Sequence, residues 1–205
     1  EAQQSVWTLH ASGNILMQPN ATASAEHLNH APEKLRAHMV AASAGQHVED
    51  MARRGLHYGP CFQGLVELWQ HERENLARVH LHESVVAEAQ QYRLHPALLD
   101  LCFQALLAGQ VLNRDTYLPV ALGRVQGFAH STADGELWAH TRITASDATK
   151  LLGDIFLRDE DGHLLLEARG LELRRMPRDL NAKIADWFYE VTWQPQPLTQ
   201  QVAKH

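Results

Sequence analysis

Apolar residues are densest between Leu94 and Leu107, and their spacing there is helical. Pro96 suits a first helical turn, where its missing N–H would have no partner anyway. From Ala97 the residues are strong helix formers, and Gly109 is placed to end the helix. At ~100° per residue, Leu98, Leu99, Cys102, Phe103, Leu106 and Leu107 wrap most of the circumference, so the helix belongs inside a core. Asp100 and Gln104, four apart, form its single polar stripe.

Elsewhere the pattern predicts strands. Leu65–Glu72 and Leu76–His82 read as a pair, with Val79 and Leu81 alternating against Arg78, His80 and His82. Tyr117–Val125 is extended, and Pro119 marks an edge or bulge. Strands recur at Val125–His130, Glu136–Ala145, Leu152–Asp159 and His163–Leu173, the last two joined by an Asp161-Gly162 hairpin turn. Gln46–Arg54 is a short helix closed by Gly55, and Glu83–Gln91 a helical or loop connection. Near the start, Ser5–Met17 reads as a strand, a turn at Ser12-Gly13-Asn14 and the beginning of another strand. Residues 18–34 are rich in Gln, Asn, Ala, Ser and Thr and read as a linker, which leaves that opening strand without a sheet. The sum is an α+β chain: five or six antiparallel strands wrapped on one buried helix, an order that a βαβ alternation does not produce.

The 205 residues, 45% hydrophobic, are enough for one good-sized core or one and a half small domains. A net charge of -6 makes no electrostatic case for nucleic acid or an anionic membrane. No apolar run approaches the ~20 residues of a bilayer span. Glu1-Ala2-Gln3-Gln4 lacks the basic-then-apolar order of a signal peptide. Cys61 and Cys102, far apart in apolar settings, read as reduced core residues of a cytoplasmic protein. There are 14 histidines but no zinc-like spacing; His80 with His82, and His27 with His30, read as solvated faces, and no metal is expected. In the tail from Arg174 on, four basic residues (Arg174, Arg175, Arg178 and Lys183) precede Trp187-Phe188-Tyr189-Glu190-Val191-Thr192-Trp193. Aromatics that dense pack on something, and a neighbouring domain is the expected partner.

Two stretches carry candidate chemistry. A carboxylate on an apolar helix is costly unless hydrogen-bonded, and desolvation raises its pKa. Asp100, steadied by Gln104, therefore suits a general acid that keeps its proton near neutrality, while a partly exposed helix face or a capping Asp has the same spacing. In Tyr58-Gly59-Pro60-Cys61-Phe62-Gln63-Gly64, two glycines and a proline force an irregular loop beside aromatics. Such loops bring backbone N–H groups and a Tyr hydroxyl to a ligand, and a buried structural turn is written the same way.

Taken together, Tyr58–Gly64 followed by His95-Pro96-Ala97-Leu98-Leu99-Asp100 and Gln104 resembles the second half of a modular polyketide synthase dehydratase domain. Leu118-Pro119-Val120 resembles a later strand of that family, and Tyr189–Trp193 its exit linker; the likeness covers roughly residues 5–195. It implies a double hot dog fold: two sheets in one chain, each wrapped around a helix. It also implies loss of water from a β-hydroxyacyl chain carried on the phosphopantetheine of an acyl carrier protein, with no further cofactor. By the same likeness Asp100 matches the acid, Gln104 the amide that orients it, and Tyr58 a hydrogen-bonding partner of the leaving hydroxyl. Gly59, Pro60 and Phe62 match the substrate-binding loop, and His95 and Pro96 the substrate-side start of the helix.

The family's base is a His followed by three residues, Gly, four residues and Pro, in the first hot dog. His10 with Gly13 and Pro19 approaches it, but Gly falls one position early, and Trp7–Gly13 resembles the last strand of that hot dog instead. The resemblance therefore implies terminal strands of a first hot dog over residues 1–18, a linker over 19–45, a second hot dog over 46–176 and an exit linker over 177–205. A chain without the base would not dehydrate by itself, and its bare hot dog face would favour a homodimer. A double-bond isomerase or pyran cyclase, and a non-catalytic docking module of a megasynthase, are the other functions such a chain allows.

Overall fold

The structure is a computed structural model, and it describes residues 9–16, 31–109, 115–128 and 136–176. Its elements in chain order are α1 (Pro32–Arg36), β1 (Val40–Ala42), α2 (Ala44–Arg53), β2 (Leu65–His71), β3 (Glu74–Val79), α3 (Glu83–Ala89), α4 (Pro96–Leu107), β4 (Tyr117–Gly127), β5 (Leu137–Ser146), β6 (Lys150–Arg158) and β7 (Leu164–Arg175). The strands form one antiparallel sheet in the order β1-β2-β3-β5-β6-β7-β4.

Helix α4 begins where Pro96 and the cap residue His95 place it: His95 Nδ1 accepts the Ala97 N–H at 3.2 Å. Leu98, Leu101, Cys102, Ala105 and Leu106 are sealed from solvent. Burying each leucine is worth about 1.5–3 kcal/mol, which holds α4 in the curl of the sheet. Ala77 and Val79 of β3, Ala139 and Ile143 of β5, and Ile155 and Leu157 of β6 face it from within. Gly153 permits the close approach, since a Cβ there would lie 2.6 Å from the Leu106 side chain and 2.9 Å from the Arg142 carbonyl. The helix closes at Gly109 (φ +69°), and Asn75 Nδ2 donates to the carbonyls of Ala105 (2.8 Å) and Ala108 (2.9 Å), acceptors the last turn leaves open. This is the helix-in-sheet arrangement of a hot dog.

The outer face of the sheet is held by charges and rings. Glu74 accepts from Arg142 Nε at 2.7 Å and lies 3.3 Å from His140 Nε2; these partners hold its carboxyl down at about 2. The Arg169 guanidinium sits 4.6 Å over the Phe156 ring, and Arg36 of α1 sits 5.2 Å over Trp69. Among the described residues no helix is long and apolar enough to cross a membrane.

Several expectations change. Of the strand, turn and strand expected over Ser5–Met17, residues 9–16 carry no strand and pair with none of the described strands, and Leu9, Ile15 and Leu16 are exposed; residues 5–8 and 17 of that expectation lie outside the described residues. The linker expected over 19–45 is ordered from Pro32, with α1 and then β1 paired to β2; residues 19–30 are not described. That pairing brings the described strands to seven. The two strands expected over Tyr117–Val125 and Val125–His130 are one strand, β4, which ends at Gly127 at an edge of the sheet, with residues 129–130 outside the described ones; the expected irregularity is there, between Pro119 and Ala121. His82 lies beyond β3 and caps α3 through Nδ1, so it shares no strand face with His80. Gly162 takes φ +84° in the β6–β7 turn, as Asp-Gly predicts. The aromatic tail lies outside the described residues.

Candidate active site

The loop that leads out of α2 is short of regular structure and long on constraints. Pro60–Phe62 make one 3₁₀ turn, closed by Phe62 N–H to Gly59 O at 2.9 Å and Gln63 N–H to Pro60 O at 3.1 Å. Gln63 Nε2 donates back to the Tyr58 carbonyl at 2.6 Å. Gly64 then passes directly under the end of β3: a Cβ would fall 1.9 Å from the His80 carbonyl oxygen and 2.9 Å from the Leu101 side chain. Cys61 is half-buried, its Sγ 3.3 Å from Ser84 Oγ at the head of α3, so it is a loop residue and not the core residue its apolar setting suggests. Cys102 is core, and burial pushes its thiol up to about 12, which keeps it from acting as a nucleophile.

The loop meets α4 at one side chain. Gln104, 1% exposed, donates through Nε2 to the Phe62 carbonyl (2.9 Å) and to Asp100 Oδ2 (2.8 Å). Both amide protons are thereby spent, and the amide orientation is settled, since the flipped group would set two carbonyl oxygens against each other. Gln104 Oε1 is buried and without a hydrogen-bond partner among the described residues. Asp100 is half-buried; burial raises its pKa above the usual carboxylate value, and the Gln104 bond pulls the other way without cancelling it. Tyr58, its ring 6.5 Å from that of Phe62, is pushed up to about 12 by burial and secondarily by the Asp100 charge. The site thus pairs a carboxyl biased toward its acid form with a phenol that keeps its proton.

The sequence-predicted residues divide accordingly. Asp100, Gln104 and Tyr58 come together, and Phe62 joins them through its backbone carbonyl while its side chain is 38% exposed. Gly59 and Pro60 are exposed and shape the turn. His95 is engaged within the fold: its Nδ1 is used by the Ala97 N–H, its Nε2 lies 3.0 Å from Glu88, and its ring packs on Tyr92 at 5.1 Å. It starts the helix, with Pro96 in the first turn, and has no ring nitrogen left for a substrate. His10 is exposed in an open trough of about 660 Å³ with Phe103, Val120 and Leu171, and neither Asp100 nor Tyr58 lines that trough. No histidine among the described residues contributes to the Asp100 shift. Metal-ligating types gather, among the described residues, only at the exposed β6–β7 turn (Asp159, Asp161, His163), where Asp159 is bonded to His163 at 3.0 Å.

Sequence reasoning did not find the Phe62 carbonyl or the Cys61–Ser84 contact. A backbone acceptor leaves no mark in a sequence, and Ser84 reads only as an ordinary first-turn residue.

Comparison with known proteins shows the family. The family model described as polyketide synthase dehydratase N-terminal domain matches residues 26–183. Polyketide synthase PksN of Bacillus subtilis (strain 168) is 29% identical over 151 residues, 69% of this chain and 3% of that protein. The dehydratase domain of a mycocerosic acid synthase-like polyketide synthase superposes with a TM-score of 0.68 at 28% identity, over 74% of this chain and 56% of that one. An inactive mutant of CurK dehydratase bearing an Asp-to-Asn substitution superposes with a TM-score of 0.64 at 29% identity, over 74% of this chain and 54% of that one. The chain therefore spans about half the length of the solved domains it matches.

Proposed function

Because this chain belongs to the polyketide synthase dehydratase family, we propose that it supplies the acid half of a β-hydroxyacyl dehydration, with Asp100 as the general acid. In the elimination a base removes the α-proton, the electrons form the α,β double bond, the β-carbon–oxygen bond breaks, and the departing hydroxyl takes the Asp100 proton to leave as water. Hydroxide is a poor leaving group, so the acid must still hold its proton when substrate arrives. The observation that carries the reading is the Phe62–Gln104–Asp100 bond sequence around a carboxyl whose pKa burial has raised. Tyr58, protonated across the working range, donates to the same hydroxyl. Gln104 keeps the Asp100 side chain in one rotamer.

The acyl chain is carried on the phosphopantetheine of an acyl carrier protein, and the neighbouring synthase domains are the other partners. The base comes from outside the described surroundings of Asp100. Inactivity of an Asp-to-Asn CurK dehydratase supports an essential acid in this family. Edge strand β4 exposes Val120 and Val125, and we assign it as the face through which isolated copies self-associate.

The test is Asp100→Asn in the intact dehydratase, assayed on a β-hydroxyacyl carrier substrate. Turnover falls by about 10²–10⁴, the contribution of one positioned proton donor, with the fold unchanged; activity within a few-fold of wild type overturns the assignment. Steady turnover by this polypeptide alone would overturn the separate origin of the base. A clean monomer by light scattering at high concentration would overturn self-association.

A further inference from the structure

A second cavity, about 380 Å³, opens beside α4 on the side of Leu99, about 100° around the helix from Asp100. Leu94 and Leu99 form one wall, Val125 and Gly127 of β4 a second, Leu165 and Leu166 of β7 a third. Gly127 keeps its wall open, since a Cβ there would meet nothing within 4 Å. Arg93 is the one charged residue of the lining. It is exposed, and it has no ion-pair or hydrogen-bond partner among the described residues. The first turn of α4 adds positive potential at the same end.

An apolar hollow of this size suits a small ligand, and a single unspent cation in its lining selects the sign of one polar end. Leu99 and Phe103 lie four apart on one face of α4, and Phe103 belongs to the trough with Leu122 and Leu171. One face of α4 thus borders both hollows, with Arg93 in the lining of the first. We propose that this pocket binds the far end of an acyl chain that carries a carboxylate or another anionic group, with Arg93 as the residue that selects it. The inference rests on the acyl-substrate reading above and adds a substrate class to it.

Decanoate and decan-1-ol are the probes, titrated into the 205-residue chain and followed by amide shifts in NMR spectra. Decanoate shifts the amides of Leu94, Leu99, Gly127 and Leu166, and Arg93→Ala weakens it roughly fivefold, as for a solvent-exposed ion pair at the upper end of its range. Decan-1-ol binds both proteins alike, and Leu166→Trp blocks both probes. Equal decanoate affinity in wild type and Arg93→Ala, or shifts clustered elsewhere, overturns the pocket. In the intact dehydratase, Arg93→Ala raises KM for a β-hydroxyacyl substrate ending in a carboxylate and leaves kcat, and leaves both constants for the neutral chain; an unchanged KM overturns the substrate class. Asp100→Asn does not alter decanoate binding, so failure here is separable from failure of the acid assignment.

Discussion

Two buried amides serve helix α4, and they are treated differently. Asn75 of β3 spends both amide protons on carbonyls of the last turn, and the result is a closed, fully buried joint. Gln104, on the side of the helix that meets the Tyr58–Gly64 loop, also spends both protons, but one goes to a carboxyl that burial pushes toward its acid form, and its own Oε1 is left without a partner among the described residues. The Asn75 amide is fully used by the helix it closes, whereas the Gln104 amide leaves one buried acceptor open, and that shortfall costs stability.

The widest separation of the two surroundings comes from Asp100→Asn, which removes about 10²–10⁴ of the intact enzyme's rate and yet stabilises the fold near neutrality. The sign follows from linkage: an acid whose folded pKa is raised binds its proton more tightly when folded, so its penalty is absent below the unfolded Asp range and grows as pH rises through the raised value. Urea unfolding at pH 3 and pH 7 reads it. The variant matches wild type at the lower pH and exceeds it at the higher, and an equal gap at both would refute the contrast.

At the last turn Asn75→Ala takes one donor from each of two buried carbonyls, leaving Ala105 only the Thr141 hydroxyl at 3.5 Å, and costs about 2–4 kcal/mol in the same urea experiment. The Asp100 titration, followed by carboxyl NMR, stays where it is. If the Asp100 pKa moves with Asn75, the two amides are not independent.

Gln104→Leu has a smaller effect, about tenfold in rate, from the loss of one hydrogen bond to a charged group. Its signature is in the pH profile. The amide bond lowers the Asp100 pKa, so its loss moves the alkaline limb, where the acid deprotonates, to higher pH. A limb that stays fixed or moves down contradicts the geometry.

His47 of α2 extends the comparison to a third buried polar group. Its Nε2 has no hydrogen-bond partner among the described residues, and burial, helped by the Arg54 charge, lowers its pKa to about 4. The unfolded chain then takes up the proton first, and stability is lost as pH falls from 6.5 toward 4. His47→Phe should flatten that loss, by a margin smaller than either change on α4; denaturation midpoints at pH 7.5 and 5 check it.

Much of this was legible beforehand. Pro96 and Gly109 bracket α4, and the four-residue step from Asp100 to Gln104 places acid and amide on one stripe. What escaped has physical causes. α1 and β1 lie in polar, linker-like composition and are recruited by pairing with β2 and by Arg36 stacking on Trp69, neither of which is local. The Phe62 carbonyl is anonymous because every residue has one. Asn75 did leave a trace: it shares the parity of Ala77 and Val79, so an alternating strand puts it inward, where an amide needs partners.

Gly64 bonds to neither Asp100 nor Gln104, yet it sets how far the Tyr58–Gly64 loop tolerates change. With the His80 carbonyl 1.9 Å from where a methyl would go, even alanine must lift the turn off the sheet, and the Phe62 oxygen would travel with it. The weakest point of the proposed proton donor is therefore a hinge pin of bare backbone, two residues past the carbonyl that holds Gln104.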